Sequence, residues 1–199
     1  NFQDLHGLNQ LPGLAVQNLM VEGFGFGAEG DWKTSAFLAI LKYASQGKKG
    51  ATAFMEDYTY DLSKGKELVL GAHMLEVDPS LAVTKPIIEV HPLGIGGKND
   101  PARLVFDSIL GDAIMISVID TGYGFKAIIQ KGQLVTPPEK MPKLPVAQVM
   151  WKLLPNFKQA TQTWIEEGGA HHTILTTQFT AEDIVDLANI YGIESVVIG

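Results

Sequence analysis

Apolar positions along the first fifth of the chain recur at helical spacing. Leu14, Val16, Leu19 and Met20 follow a Leu11-Pro12-Gly13 turn and stop at Gly23, which predicts a short helix. A glycine-rich run, Gly23-Phe24-Gly25-Phe26-Gly27-Ala28-Glu29-Gly30, leads into residues 31–46. There Trp32, Ala36, Phe37, Ile40, Leu41 and Ala44 make one apolar stripe, a longer helix capped near Asp31. From residue 51 the pattern shortens to β-leaning stretches at 51–60, 67–75, 86–92, 103–106, 113–120, 125–130 and 133–135, separated by Gly, Pro, Asn, Asp or Lys turns. The last third predicts a helix at 157–167, a strand at 172–177, a helix at 180–191 that opens on a Thr180/Asp183 capping pattern, and a strand at 193–198. The expected fold class is α+β. Residues 1–50 read as the helical end of one domain, and 51–199 as a whole second one, an antiparallel, barrel-like β-rich domain with flanking helices.

Composition narrows the chemistry. With 46% hydrophobic and 19% charged residues the chain is that of a globular protein. The absence of cysteine removes disulfides, thiolate zinc sites, iron–sulfur clusters and a cysteine nucleophile. Fifteen basic against 22 acidic residues, with no basic run longer than Lys48-Lys49, argue against nucleic acid as a partner. No stretch approaches a membrane span, and the start at Asn1-Phe2-Gln3-Asp4 has no leader character, so a cytoplasmic protein without a membrane partner is expected.

Gly25-Phe26-Gly27-Ala28-Glu29-Gly30 fits G-x-G-x-x-G by letter, but a helix rather than a strand precedes it. Glu29 would also repel a pyrophosphate, so a dinucleotide site is disfavoured. Glycines around a carboxylate instead let the backbone crowd a ligand or metal that the carboxylate touches. Any metal here must use His, Asp or Glu. The histidines are His6, His73, His91, His171 and His172; singly, each in or beside a strand reads as a structural residue. Glu56 follows an apolar run and would be costly to bury without a cation or a proton, although a solvated turn carboxylate is an equal reading. Consecutive strand residues face opposite sides, so one of His171 and His172 is expected in a site and not both; alternation does not say which. Two glutamates and two histidines would suit Mn²⁺, Mg²⁺ or Co²⁺ in a shell with positions left for substrate oxygens, the arrangement a diol or hydroxy-ketone needs.

The segments Gly25-Phe26-Gly27-Ala28-Glu29-Gly30-Asp31-Trp32-Lys33-Thr34, Phe54-Met55-Glu56-Asp57-Tyr58-Thr59-Tyr60, Leu70-Gly71-Ala72-His73-Met74-Leu75-Glu76-Val77, His91-Pro92-Leu93-Gly94-Ile95-Gly96-Gly97-Lys98 and Gly168-Gly169-Ala170-His171-His172-Thr173 together closely resemble the L-arabinose isomerase family. The resemblance spans this chain but only the C-terminal portion of the family's members, and it implies that residues 1–50 are the helical end of a middle α/β (Rossmann-like) domain. It implies an aldose–ketose isomerase acting on L-arabinose to give L-ribulose and, less efficiently, on D-galactose to give D-tagatose. It also implies a Mn²⁺ cofactor, for which Co²⁺ or Mg²⁺ could substitute, held by Glu29, Glu56, His73 and His172. Glu29 and Glu56 are the implied acid/base pair, with a metal-assisted hydride shift as the mechanistic rival. Phe2 and Ile95 fall on positions that wall the family's sugar pocket, and His171 is implied as a neighbour of the ligands. Assembly as a homo-oligomer, trimer or hexamer, is a further implication. Asp78 stands where the family often has cysteine, outside the ligand set. Two alternatives stay open: a non-catalytic sugar- or metal-binding fragment, and an isomerase of another sugar such as a deoxyhexose.

Overall fold

The computed structural model describes residues 5–94 and 97–199. Two helices come first, α1 (Gly13–Val21) and α2 (Trp32–Ala44). They are followed by β1 (Thr52–Asp61), β2 (Leu68–Ala72), β3 (Ile87–Val90), β4 (Ala102–Val105), β5 (Gly111–Asp120), β6 (Phe125–Val135) and β7 (Val149–Leu153). The chain ends with α3 (Phe157–Glu166), β8 (His172–Thr176), α4 (Ala181–Tyr191) and β9 (Glu194–Ile198).

Strands β5, β8, β1, β2, β7 and β6 pair antiparallel in that order, and β5 pairs β6 to close the ring. Closure leaves no open edge in the barrel itself. Strand β6 is long enough that one of its edges carries β5, while the other is shared between parallel β9 in its first half and β7 in its second. The α+β, barrel-like expectation holds. Two details differ. The stretches expected at 125–130 and 133–135 are one strand, because Gly132 lies under the Lys152 carbonyl at a close crossing and does not break the ladder. Strand β7 was not foreseen: four of its five residues are buried, so it lacks the polar alternation that marks a half-exposed strand. The β3–β4 hairpin stands apart as a two-stranded sheet.

Alternation sorts the barrel residues into two cores. Ala53, Met55, Met115, Ile128, Val149, Trp151 and Leu175 fill the lumen. Phe54, Ile114, Ile116, Ile129 and Ile174 point outward and are covered by Phe37, Leu38 and Leu41 of α2 and by Ala181 and Ile184 of α4. Helix α2 begins where Asp31 accepts hydrogen bonds from the Thr34 amide and hydroxyl, and α4 where Thr180 and Asp183 form a reciprocal capping box. A buried ion pair, Lys42 Nζ to Asp78 Oδ2 at 2.5 Å, ties α2 to the loop after β2. Position 78, where the resembling family often has cysteine, is thus a structural anchor for that loop.

Candidate metal centre

The outward face of β1 carries the centre of the site. Glu56 lies two residues beyond Phe54, and so on the same side of the sheet. In register it faces His172 on β8 and Ala72 on β2. His73 is the first residue after β2. Its Nε2 lies 3.9 Å from Glu56 Oε2, and the other carboxylate oxygen lies 3.9 Å from His171 Nε2. Phe54 is the shared wall of the two buried imidazoles, with its ring centroid 5.2 Å from that of His73 and 5.0 Å from that of His172. Phe26 of the glycine run closes on Phe54 from above at 5.1 Å.

Glu29 comes from the short 3₁₀ turn Ala28–Gly30, with φ of 57° and ψ of 25°. It is the one non-glycine residue in the left-handed region among those described, a conformation that costs an L-residue ~1 kcal/mol or more. The glycines beside it have a packing reason: a Cβ on Gly25 or Gly27 would meet the carbonyl of Ser35 or Asp31 at 2.0 Å, so the loop can lie against the start of α2 only without side chains there. One donor atom from each of Glu29, His171 and His172 lies within 4.8 Å of the others.

Glu29, Glu56, His73 and His172 lie in one neighbourhood from four separate segments, but among the described residues the set whose donor atoms all fall within 4.8 Å of one another is Glu29, His171 and His172 rather than that quartet. Both adjacent histidines reach the cluster, against the expectation from strand alternation. The reason is local: His171 sits in a bend before β8, which starts only at His172, so the two-residue period does not govern it. Its ring leans against that of His172 at 4.3 Å. Phe2 and Ile95 lie outside the described residues. Two carboxylates that the sequence reading left out of the site also appear: Glu76 Oε2 is 2.5 Å from His73 Nδ1, and Asp31 Oδ2 is 3.4 Å from His172 Nδ1.

Burial, and then the neighbouring His171, holds the His172 imidazole below its usual pKa, which keeps the ring neutral with a lone pair to give. Burial raises the Glu56 carboxyl above its usual value; the two histidines beside it pull the other way, and Glu29 adds to the rise.

On the other face of β1, a separate cavity of about 160 Å³ opens at the barrel mouth, lined by Asp57, Tyr60, Trp151, Phe157, Trp164 and Thr173 among others. Burial pushes the Asp57 carboxyl up from 3.8 to about 7, against the opposing hydrogen bond from Tyr60 Oη. Because the folded-state value is raised, the associated stability is complete below pH 3.8 and is lost as the pH climbs through about 7. Asp57→Asn should accordingly raise the urea midpoint at pH 8, by at most ~4 kcal/mol in unfolding free energy, and leave it nearly unchanged at pH 4. Urea titrations of the intact protein with chelator at the two pH values check this; an equal shift at both would show that the ionisation of Asp57 carries no cost.

The sequence model of the L-arabinose isomerase C-terminal domain matches residues 51–194, and that of the L-arabinose isomerase central domain matches residues 1–47. The chain belongs to the L-arabinose isomerase family. Among relatives named L-arabinose isomerase, that of Thermotoga petrophila is 57% identical over 197 residues, covering 99% of this chain and 40% of the relative. That of Halalkalibacterium halodurans is 55% identical over 198 residues, covering 100% of this chain and 39% of the relative. The chain thus spans about two-fifths of the length of the L-arabinose isomerases it matches. Among the described residues no helix is long and apolar enough to cross a membrane.

Proposed function

We propose that this chain supplies the metal-binding and acid/base side of an aldose–ketose isomerase that converts L-arabinose to L-ribulose, and D-galactose to D-tagatose as a slower reaction. The observation that carries the reading is the meeting of the Glu29 and Glu56 carboxylates with three imidazoles from segments far apart in sequence, on one face of a barrel. The relatives' shared name supports the same reaction.

Glu29, Glu56, His73 and His172 would hold a divalent cation, and a mixed oxygen and nitrogen set of this kind suits Mn²⁺, with Co²⁺ or Mg²⁺ as substitutes. When bound, it supplies a Lewis acid to the two sugar oxygens at the reacting carbons. The chain's own residues then have two proton transfers to carry. An aldose becomes a ketose when the proton on C2 moves to C1 and the proton on O2 moves to O1, through an enediol. Two carboxylates suffice: one takes the C2 proton and returns it to C1, and the other relays the hydroxyl proton. Glu56, in register with His172 and 3.9 Å from His73 Nε2, is placed to take one of these roles. Phe54 and Phe26 pack edge-on against the His73 ring and hold it in place beside Glu56.

The test is Mn²⁺ titration and turnover of the intact protein with L-arabinose deuterated at C2. The proposal expects one Mn²⁺ per subunit, L-ribulose as product and partial loss of label to solvent. Complete retention would replace the proton relay by a hydride shift, and metal binding without ketose would leave only a binding module.

A further inference from the structure

We infer that Glu76 is a positioning residue that fixes the proton of His73 on Nδ1 and so presents Nε2 to the cation, an inference that rests on the reading of the site given above. His73 and Glu76 are both buried, at 3% and 6% exposure. The His73 Nδ1 to Glu76 Oε2 distance is 2.5 Å, and the same oxygen accepts from the Leu75 amide at 3.1 Å. An ionised carboxylate only accepts hydrogen bonds, so the ring nitrogen facing it must carry the proton. The lone pair is then on Nε2, the nitrogen that lies 3.9 Å from Glu56 Oε2.

Arg103 of β4, 2% exposed, is a buried cation whose acidic surroundings, Glu76, Glu89 and Asp100, oppose the effect of burial on its guanidinium. Arg103 Nη2 donates to the His91 carbonyl at 2.8 Å, which fixes the guanidinium. Phe54 and Phe26 set the plane of the His73 ring, and Glu76 sets its tautomer. The same device recurs in looser form at His172, whose Nδ1 faces Asp31 at 3.4 Å.

The rival role for Glu76 is a loop staple, and the two roles predict different things. The oxygen that faces Nδ1 is also the one that accepts from the Leu75 amide, so in Glu76→Gln an Oε1 in that place keeps the staple. It lacks the negative charge that holds the proton on Nδ1, and an amide turned to donate to Nδ1 gives up only the Leu75 bond, so control of the tautomer does not survive. In the intact protein, Glu76→Gln should weaken Mn²⁺ binding 10- to 100-fold by calorimetry. Solid-state ¹⁵N NMR of the metal-free, ¹⁵N-histidine-labelled protein should show His73 wholly Nδ1-protonated in the wild type and a mixture of tautomers in the variant, its signals assigned by their loss in His73→Gln. Affinity within twofold of wild type, or a His73 that stays wholly Nδ1-protonated in the variant, overturns the inference. Should Glu76→Gln not fold, Glu76→Asp keeps the charge on a shorter arm: His73 should stay Nδ1-protonated while Mn²⁺ affinity falls, and unchanged affinity overturns the inference. A wild type that binds no Mn²⁺ defeats the functional proposal instead, and the metal-free spectra still decide the role of Glu76.

Discussion

Glu56→Gln in the intact protein is expected to lower kcat for L-arabinose by ~10³-fold, within the range that loss of a positioned acid/base group produces, and to weaken Mn²⁺ binding at the same time. The substitution keeps the shape of the side chain and removes its ability to carry a proton. Each carboxylate oxygen faces an imidazole Nε2 at 3.9 Å, so the change falls on the two atoms that the site is built around. Stability should move the other way. Burial already raises the Glu56 pKa, which means that its charge is a cost to the metal-free fold; a neutral amide removes that cost. The variant should therefore unfold at the same or slightly higher urea concentration in the presence of chelator while being nearly inactive with Mn²⁺. Retention of more than a tenth of wild-type kcat would take Glu56 out of the proton relay.

Phe54→Ala should cost ~3–5 kcal/mol in unfolding free energy, the usual range for a fully buried phenylalanine. Its side chain is 0% exposed and belongs to the outer core formed with α2 and α4. The loss should exceed a simple cavity in one respect: His73 and His172 both rest edge-on against this ring, so its removal frees two ligand side chains to choose other rotamers. Mn²⁺ affinity should fall together with stability in Phe54→Ala and recover in part in Phe54→Leu, which refills much of the space. Urea denaturation with chelator and calorimetry with Mn²⁺ separate the two effects. A stability loss under 1 kcal/mol, or unaltered metal affinity, would show that the aromatic wall does not organise the imidazoles.

The helices were legible because their signals are local. The apolar stripe of 31–46 with Asp31 ahead of it, and the Thr180/Asp183 pair, each specify a start within a turn of the observed one. The strands were legible where one face meets polar surroundings and not where both are buried, as β7 shows. Closure of the barrel through β5–β6 pairing depends on contacts that no stretch of sequence announces.

At the site, the residue types pointed to the chemistry before their positions did. Glu56 stood out as a carboxylate at the end of an apolar run and Glu29 as one among glycines, but their approach to His73 and His172 is set by the register of β1 with β8 and by the fold of the loop over α2. His171 was misjudged because alternation was applied one residue before the strand begins. Glu76 could have been suspected as a lone acid three residues after a histidine in the otherwise apolar Ala72-His73-Met74-Leu75-Glu76-Val77. Asp31 was hidden by its evident role as a helix cap, which it fills while also facing His172.

In β1 and β8 the odd-numbered residues Ala53, Met55, Thr173 and Leu175 are turned into the lumen, while Phe54, Glu56, His172 and Ile174 are turned out. The inward letters thus serve durability alone, while the outward ones serve durability and chemistry together. Heat tolerance can drift by repacking the inner letters while the outer ones hold still, so homologues from hot and cold habitats could share one reactive surface over quite different interiors.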